Sequence, residues 1–375
     1  QSQPGATAIV DGREYLYFVG TGYLGLQGRP ELIAAATEAM QRYGIASGTT
    51  RAGYGTTPPV REVERGAARF FGSEEALYFA SGYLGPAMIV AALAGTFSRI
   101  LIDEASHYSL WEAARGSGKP IEAFRHCDVT DLAARLGHGI GSPAGALVVS
   151  DGLFAAWGSI APVAEYLELL GDYPTSSLLL DDCHGFGVLG ATGKGTYELA
   201  SVPYSAVNRT PDEAGGLGPR LYVTGTTSKA LGSFGGLLPG SRAFIEQLKA
   251  TTDYHAGASA PPIAAAAAAA AAFALVEAEP QLRERLVGNA LSLRRALAAL
   301  GLPLEESPSP VICLELDSAE RMRQTQQHLQ EQGMLVAYMP KYAGLGPAGA
   351  LRIAVFATHT PAMLDQLADA LGRTL

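Results

Sequence analysis

The sequence predicts an α/β protein: a mostly parallel sheet with helices on both faces, followed by a smaller α+β unit. Three observations lead there. Short apolar runs ending in turn residues alternate with stretches of helical spacing through the middle of the chain. The style changes after Pro261, where a long helical stretch precedes short strands. Finally, 375 residues at 48% hydrophobic and 17% charged supply enough apolar material for sizeable cores.

The stretch up to about Leu26 reads as short strand and turn, joining either the small unit or a partner subunit. Residues 76–79, 99–103, 146–150, 177–181, 221–226 and 236–238 read as strands. Residues 83–93, 109–117, 129–136 and 163–171 have helical spacing. Strands fed by crossover helices are buried on both faces, and right-handed crossovers gather their carboxyl ends on one edge, where ligands bind. The polar stretch 203–219 reads as an exposed insertion. A helical region then runs over 263–300 with a break near Pro280. Its nine consecutive alanines, 264–272, suit a close-packed helix and are too weakly apolar for a membrane span. Residues 311–316, 334–338 and 351–356 read as strands, 319–332 as a helix, and 361–371 as a closing helix with Thr360 as N-cap and Pro361 in its first turn. The expected units are 1–50, 51–260 and 261–375.

The charge balance, 27 basic against 36 acidic residues, gives −9. It makes no phosphate-tracking basic face, which argues against nucleic-acid binding. Cys127, Cys183 and Cys313 form no paired motif, which argues against a disulfide scaffold or structural zinc. The first residues lack the pattern of a targeting leader, so the expected compartment is the cytoplasm.

Candidate chemistry sits at the strand ends. Lys229, in the stretch TGTTSKALG that follows an apolar strand, is flanked by small residues. Partial desolvation there frees a lysine amine for Schiff-base formation, and the hydroxyls of Thr226 and Ser228 offer donors to a phosphate. A plain surface lysine after a strand fits the same stretch. Asp181 and Asp182 end another apolar strand, with His184 just beyond. A carboxylate at that edge can keep a pyridinium nitrogen protonated, as pyridoxal phosphate requires, and His184 can reach the phenolic oxygen. A divalent metal on Asp181, Asp182 and His184, or a capping aspartate before a glycine turn, are the other uses. The lysine downstream favours the pyridinium. Ser81, Gly82 and Tyr83 open a helix after a strand and make an anion site. His107 follows a strand end and can stack on a flat cofactor, or serve as a hydrogen-bonded loop histidine. Arg352 stands alone in an apolar strand. A buried arginine needs a carboxylate, from an amino-acid substrate held bidentately or from an internal salt bridge. His359 reads as structural.

Taken in order, Ser81-Gly82-Tyr83, His107, Asp181-x-x-His184, Thr226-x-Ser228-Lys229 and Arg352 before His359 resemble the α-oxoamine synthase family, from Tyr23 to the closing helix. The resemblance implies a fold-type I transferase dependent on pyridoxal 5′-phosphate (PLP), with a mostly parallel seven-stranded sheet and a smaller C-terminal α+β domain. It implies that Lys229 carries the cofactor and moves protons, Asp181 pairs with the ring nitrogen, His107 stacks on the ring and His184 meets the phenolic oxygen. It also implies that Ser81, Gly82, Tyr83 and Thr226 bind phosphate, and that Arg352 clamps the substrate carboxylate. Such enzymes are homodimers with active sites at the interface. They condense an amino acid with an acyl thioester, on coenzyme A or a carrier protein. Transamination of a small amino acid is the alternative reaction, and a non-catalytic dimer subunit the alternative role. The chain departs from the family pattern at Gly20-Thr21-Gly22, which lacks an asparagine, and at Val60, which replaces a histidine. It departs again at Ala155 for a serine, at Trp157 for an acidic residue, and in the 257–262 stretch GASAPP, which lacks one phosphate-binding hydroxyl.

Overall fold

In the computed structural model, which describes residues 5–138, 145–213 and 219–374, seven strands form the central sheet. Strands are numbered along the chain: β1 Thr7–Val10, β2 Arg13–Tyr17, β3 Glu75–Phe79, β4 Arg99–Asp103, β5 Ile121–Phe124, β6 Ala146–Asp151, β7 Ser177–Asp181, β8 Arg220–Thr226, β9 Gly236–Gly240, β10 Val311–Leu314, β11 Met334–Leu335, β12 Ala337–Met339 and β13 Ala350–Ala354. The central sheet runs β3-β9-β8-β7-β6-β4-β5, and β9 alone opposes the rest. Every residue of β6 and β7 is buried, which is why both read as near-continuous apolar runs. The strand missing from the sequence reading is β5. It is four residues long, lies at the sheet edge and keeps three residues only half-buried, so its pattern is weak.

Alternate strand residues feed two cores, as the pleat requires. Leu101, Val148, Leu180 and Val223 face one, where helix Pro58–Phe71 contributes Val63 and Phe70 and helix Ile263–Ala278 contributes Phe273. Ile102, Val149, Leu179 and Tyr222 face the other, with Ile89, Leu110 and Phe244 from the helices opposite. The alanine run lets helix Ile263–Ala278 lie close to its neighbours, burying Ala266, Ala269 and Ala272. It meets helix Gln281–Ala299 at a 77° bend, at the expected break. Among the described residues no single helix is long and apolar enough to cross a membrane.

Two small sheets accompany the large one, β10-β13-β12 and β1-β2-β11. The single strand expected over 334–338 is split between them: β11 pairs with β2, and β12 with β13. The N-terminal stretch therefore joins the small unit of its own chain.

The 203–219 stretch corrects the expectation of an exposed insertion. Tyr204 and Asn208 are buried. Asn208 Nδ2 donates to the carbonyls of Val223 (2.8 Å) and Pro239 (2.6 Å), and its Oδ1 accepts from Val223 N (2.9 Å). One side chain thus ties β8 to β9. The polar composition concealed an asparagine that supplies hydrogen bonds to backbone. Residues 214–218 of that stretch lie outside the described residues.

Candidate active site

The carboxyl ends of β4, β6, β7 and β8 meet at one edge of the sheet, and the chemistry-bearing residues collect there. Asp181 is the last residue of β7 and is buried. Its Oδ1 accepts from Cys183 N at 3.1 Å and its Oδ2 from Ser109 Oγ at 3.2 Å. Among the described residues no cation pairs with it. A buried carboxylate with two hydrogen bonds and no counter-charge suits a cationic ligand.

Ser109 joins this carboxylate to His107, whose Nδ1 lies 2.7 Å from Ser109 Oγ. Ser109 N–H also points at Nδ1, at 3.2 Å. Burial holds the His107 imidazole below its ordinary titration range, so the ring is neutral. The backbone N–H of His107 donates to Asp151 Oδ2 at 2.9 Å. Asp151 pairs with Asp181 in register on the neighbouring strand, and burial followed by the Asp181 charge pushes its carboxyl well above the usual carboxylate range.

Asp182 points away from this edge. It accepts from Thr196 N (2.6 Å) and Thr196 Oγ1 (2.7 Å). Burial pushes it up to about 7. A Cβ on Gly185 or Gly195 would lie 2.0 Å from its carboxylate oxygens, so the glycines around it leave no space for another group. Successive residues of a strand face opposite ways, and this separates the two aspartates. The metal reading of Asp181, Asp182 and His184 is overturned by that geometry.

His184 is buried, and Tyr23 Oη lies 2.6 Å from its Nδ1. Arg352 Nη2 donates to the same Tyr23 oxygen at 3.2 Å. The guanidinium donates and the phenol oxygen accepts, so Tyr23 links Arg352 to His184. Burial, then the charges of Lys229 and Arg352, hold His184 well below its ordinary range. Arg352 has no carboxylate partner among the described residues, which removes the internal salt bridge as its use. Two further N–H groups go to the carbonyls of Ala155 (2.6 Å) and Gly20 (3.0 Å).

Lys229 lies three residues past the end of β8, half-buried, its amine without a hydrogen bond or ion pair among the described residues. Its charge acts on His107, Asp151 and His184, which fixes it in this cluster. The anion-binding stretch lies alongside. Ser81 caps the short helical turn Gly82–Leu84, accepting from Tyr83 N at 3.3 Å, and the Tyr83 ring meets His107 edge-on at 5.8 Å. A Cβ on Gly82 would lie 2.8 Å from Thr226 Cβ, so the helix start and the lysine loop touch only because residue 82 is glycine. Thr226 Oγ1 and Ser228 Oγ are 2.9 Å apart, beside Gly235.

These features fit PLP: an unpaired buried carboxylate for a ring nitrogen, an unpaired lysine, a glycine-floored helix start with hydroxyls, and a buried guanidinium without a counter-ion. The model for class I and II aminotransferases matches residues 21–371. The chain belongs to the class I and II aminotransferase family. Within it, relatives named 8-amino-7-oxononanoate synthase and solved serine palmitoyltransferases mark the protein as a PLP-dependent acyltransferase of the α-oxoamine synthase branch. It is 37% identical over 370 residues to a putative 8-amino-7-oxononanoate synthase of Desulforudis audaxviator, covering 98% of this chain and 91% of the relative. It is 38% identical to the 8-amino-7-oxononanoate synthase of Methylobacterium nodulans, covering 98% and 89%. A serine palmitoyltransferase from S. paucimobilis, solved with a PLP–myriocin adduct, superposes with a TM-score of 0.87 at 27% identity, over 98% of this chain and 89% of the other. The enzyme from Sphingomonas wittichii matches equally well.

The sequence reading missed Tyr23 and Ser109 as parts of the site, and named Trp157 only as a departure from the family pattern. Tyr23 carried a signal, standing where the resemblance begins. Ser109 carried none, because its role depends on Asp181, 72 residues away. Trp157 Nε1 donates to Ala343 O at 3.2 Å and pins the 340–349 loop beside the edge, where Tyr342 meets Tyr108 at 5.3 Å between ring centres.

Proposed function

We propose that the protein condenses an amino acid with an acyl thioester, releasing the thiol and forming an amino ketone, and that the residues gathered at the sheet edge act in the following roles. Bound PLP supplies an electron sink for negative charge at the amino acid's Cα. Lys229 Nζ would hold the cofactor through its aldehyde and would take the Cα proton. Asp181 holds a proton on the ring nitrogen, its carboxylate aimed by Ser109 Oγ and Cys183 N. His107 would stack on the ring as a neutral imidazole, and His184 would meet the phenolic oxygen. Ser81, Gly82, Tyr83 and Thr226, with Ser228 beside them, hold the phosphate. Arg352 binds the substrate carboxylate.

The observation that carries this reading is the unpaired trio of Lys229, Asp181 and Arg352 around one edge. PLP-loaded protein given a panel of amino acids with acyl-coenzyme A tests it. Thiol release that depends on the amino acid supports condensation. Keto-acid formation with conversion of the cofactor to its amine form, and no thiol release, overturns it in favour of transamination.

We assign a homodimer in the cytoplasm. Ile45 (77% exposed) and Tyr54 (97% exposed), on the loop before helix Pro58–Phe71, are apolar surface suited to a second copy. We also assign residues 51–260 to the cofactor-bearing unit and 261–375 to the linking helix and small unit.

A further inference from the structure

One polar atom at the cofactor edge has no role in the assignments above: the hydroxyl of Tyr342. Its residue is held from both sides. On one side the Tyr342 ring packs on Tyr108, 5.3 Å between ring centres, and the Tyr108 ring lies 5.9 Å from that of His107. On the other, Trp157 Nε1 donates to the carbonyl of Ala343 at 3.2 Å, and Trp157 follows closely on Ala155, whose carbonyl holds Arg352. Gly344 runs against both sides, since a Cβ there would lie 3.1 Å from Ala105 Cβ and 3.4 Å from Trp157 Cζ2. Tyr342 therefore stands between the histidine assigned to the cofactor ring and the arginine assigned to the substrate carboxylate. The Cα of a bound amino acid, joined to the ring through its nitrogen and directly to its carboxylate, lies between the same two groups. Tyr342 is half-buried, and among the described residues its hydroxyl has no hydrogen-bond partner. Burial, then the Asp151 carboxyl, hold the phenol above its ordinary range, while Arg352 pulls the other way. The hydroxyl is thus a protonated donor that the described chain does not use.

We propose that Tyr342 is a catalytic residue of the acyl-transfer half of the reaction, its hydroxyl donating to the thioester carbonyl oxygen as charge develops there. The role rests on the condensation proposed above. In that step the deprotonated Cα bonds to the thioester carbonyl carbon, and the carbonyl π electrons move onto oxygen. They return as the C–S bond breaks, and the thiolate leaves and takes a proton from water. An O–H already aimed at that oxygen lowers the barrier and keeps its own proton throughout. The raised phenol suits this use, because a donor that stays protonated is ready at every turnover. Lys229, Asp181, His184 and Arg352 are committed to the cofactor or to the carboxylate. Tyr342 has no such commitment, and its ring is fixed by Tyr108 and its backbone by Trp157, so the hydroxyl is positioned before the thioester arrives. Removal of the Cα proton precedes that arrival and does not call on it.

Tyr342→Phe keeps the ring on Tyr108 and removes the hydroxyl. In PLP-loaded protein, kcat/KM for acyl-coenzyme A, read as thiol release at saturating amino acid, should fall about a hundredfold, as loss of one oxyanion donor does. Deuterium uptake at the amino acid's Cα, measured without thioester, should stay within about twofold of wild type. Binding gives a second readout that needs no turnover. S-acetonyl-coenzyme A carries a ketone oxygen, and S-propyl-coenzyme A does not. Tyr342→Phe should weaken the first about tenfold, the worth of one hydrogen bond, and leave the second unchanged. Wild-type kcat/KM in Tyr342→Phe, an equal loss of thiol release and of Cα exchange, or equal weakening of both analogues would each overturn the role of Tyr342 and leave the condensation standing. Absence of thiol release from the wild-type protein with every amino acid would remove the condensation, and this role with it.

Discussion

Arg352, Tyr23 and His184 form a line of hydrogen bonds. The guanidinium donates to the phenol oxygen, which also meets His184 Nδ1, so Tyr23 holds both side chains in place. Tyr23→Phe should keep the fold and lower kcat/KM about tenfold, the cost of one hydrogen bond to a charged or polar partner in a buried site. Steady-state kinetics beside an unchanged melting temperature check this. Arg352→Lys keeps the charge but loses the fork, so the KM for the amino acid should rise while the KM for the thioester stays within about twofold. Asp181→Asn should still bind PLP yet lose Cα-proton exchange by about a hundredfold or more, measured as deuterium uptake by the amino acid alone.

At the scale of elements, the sheet was legible and the joints were not. The runs that became β4, β6, β7 and β8 announced themselves because both faces are buried, and Lys229, Asp181 and Arg352 stood out as charges set against such runs. β5, the split between β11 and β12, and the packing of Asn208 depend on partners distant in sequence, and no local pattern marks them. Asn208→Ala removes three buried hydrogen bonds and should cost roughly 2–4 kcal/mol, visible as a lower denaturant midpoint. His359, before helix Pro361–Gly372, also acts at this scale. Its Nδ1 accepts from Phe356 N and its Nε2 donates to Tyr17 O, tying that helix start to β2. Burial pushes it down to about 4 from 6.5. A depressed folded value means the neutral ring's stabilisation is complete above pH 6.5 and is lost as pH falls toward 4. The contribution is at most about 3 kcal/mol. His359→Asn should flatten the acid limb of a stability-versus-pH curve between those values.

The whole molecule is arranged so that a ligand at the sheet edge is gripped by parts far apart in the chain. Anything that binds only the folded state raises the melting temperature, and PLP at about a hundred times its Kd contributes about 2.7 kcal/mol. Gly82→Ala places a Cβ 2.8 Å from Thr226 and should sharply reduce the rise that PLP produces in a melting scan, even where the cofactor-free melting point changes little. Arg352 extends the same arrangement. It stands on β13 and rests on carbonyls from residues 20 and 155. Three of its five N–H groups are committed to those carbonyls and to Tyr23, and they set the direction of the two left for an arriving carboxylate, so discrimination among amino acids depends on how firmly those stretches are tethered. Changes in the N-terminal ribbon or the small sheet should therefore surface as altered substrate preference, and a mutational screen confined to residues touching the ligand would overlook them.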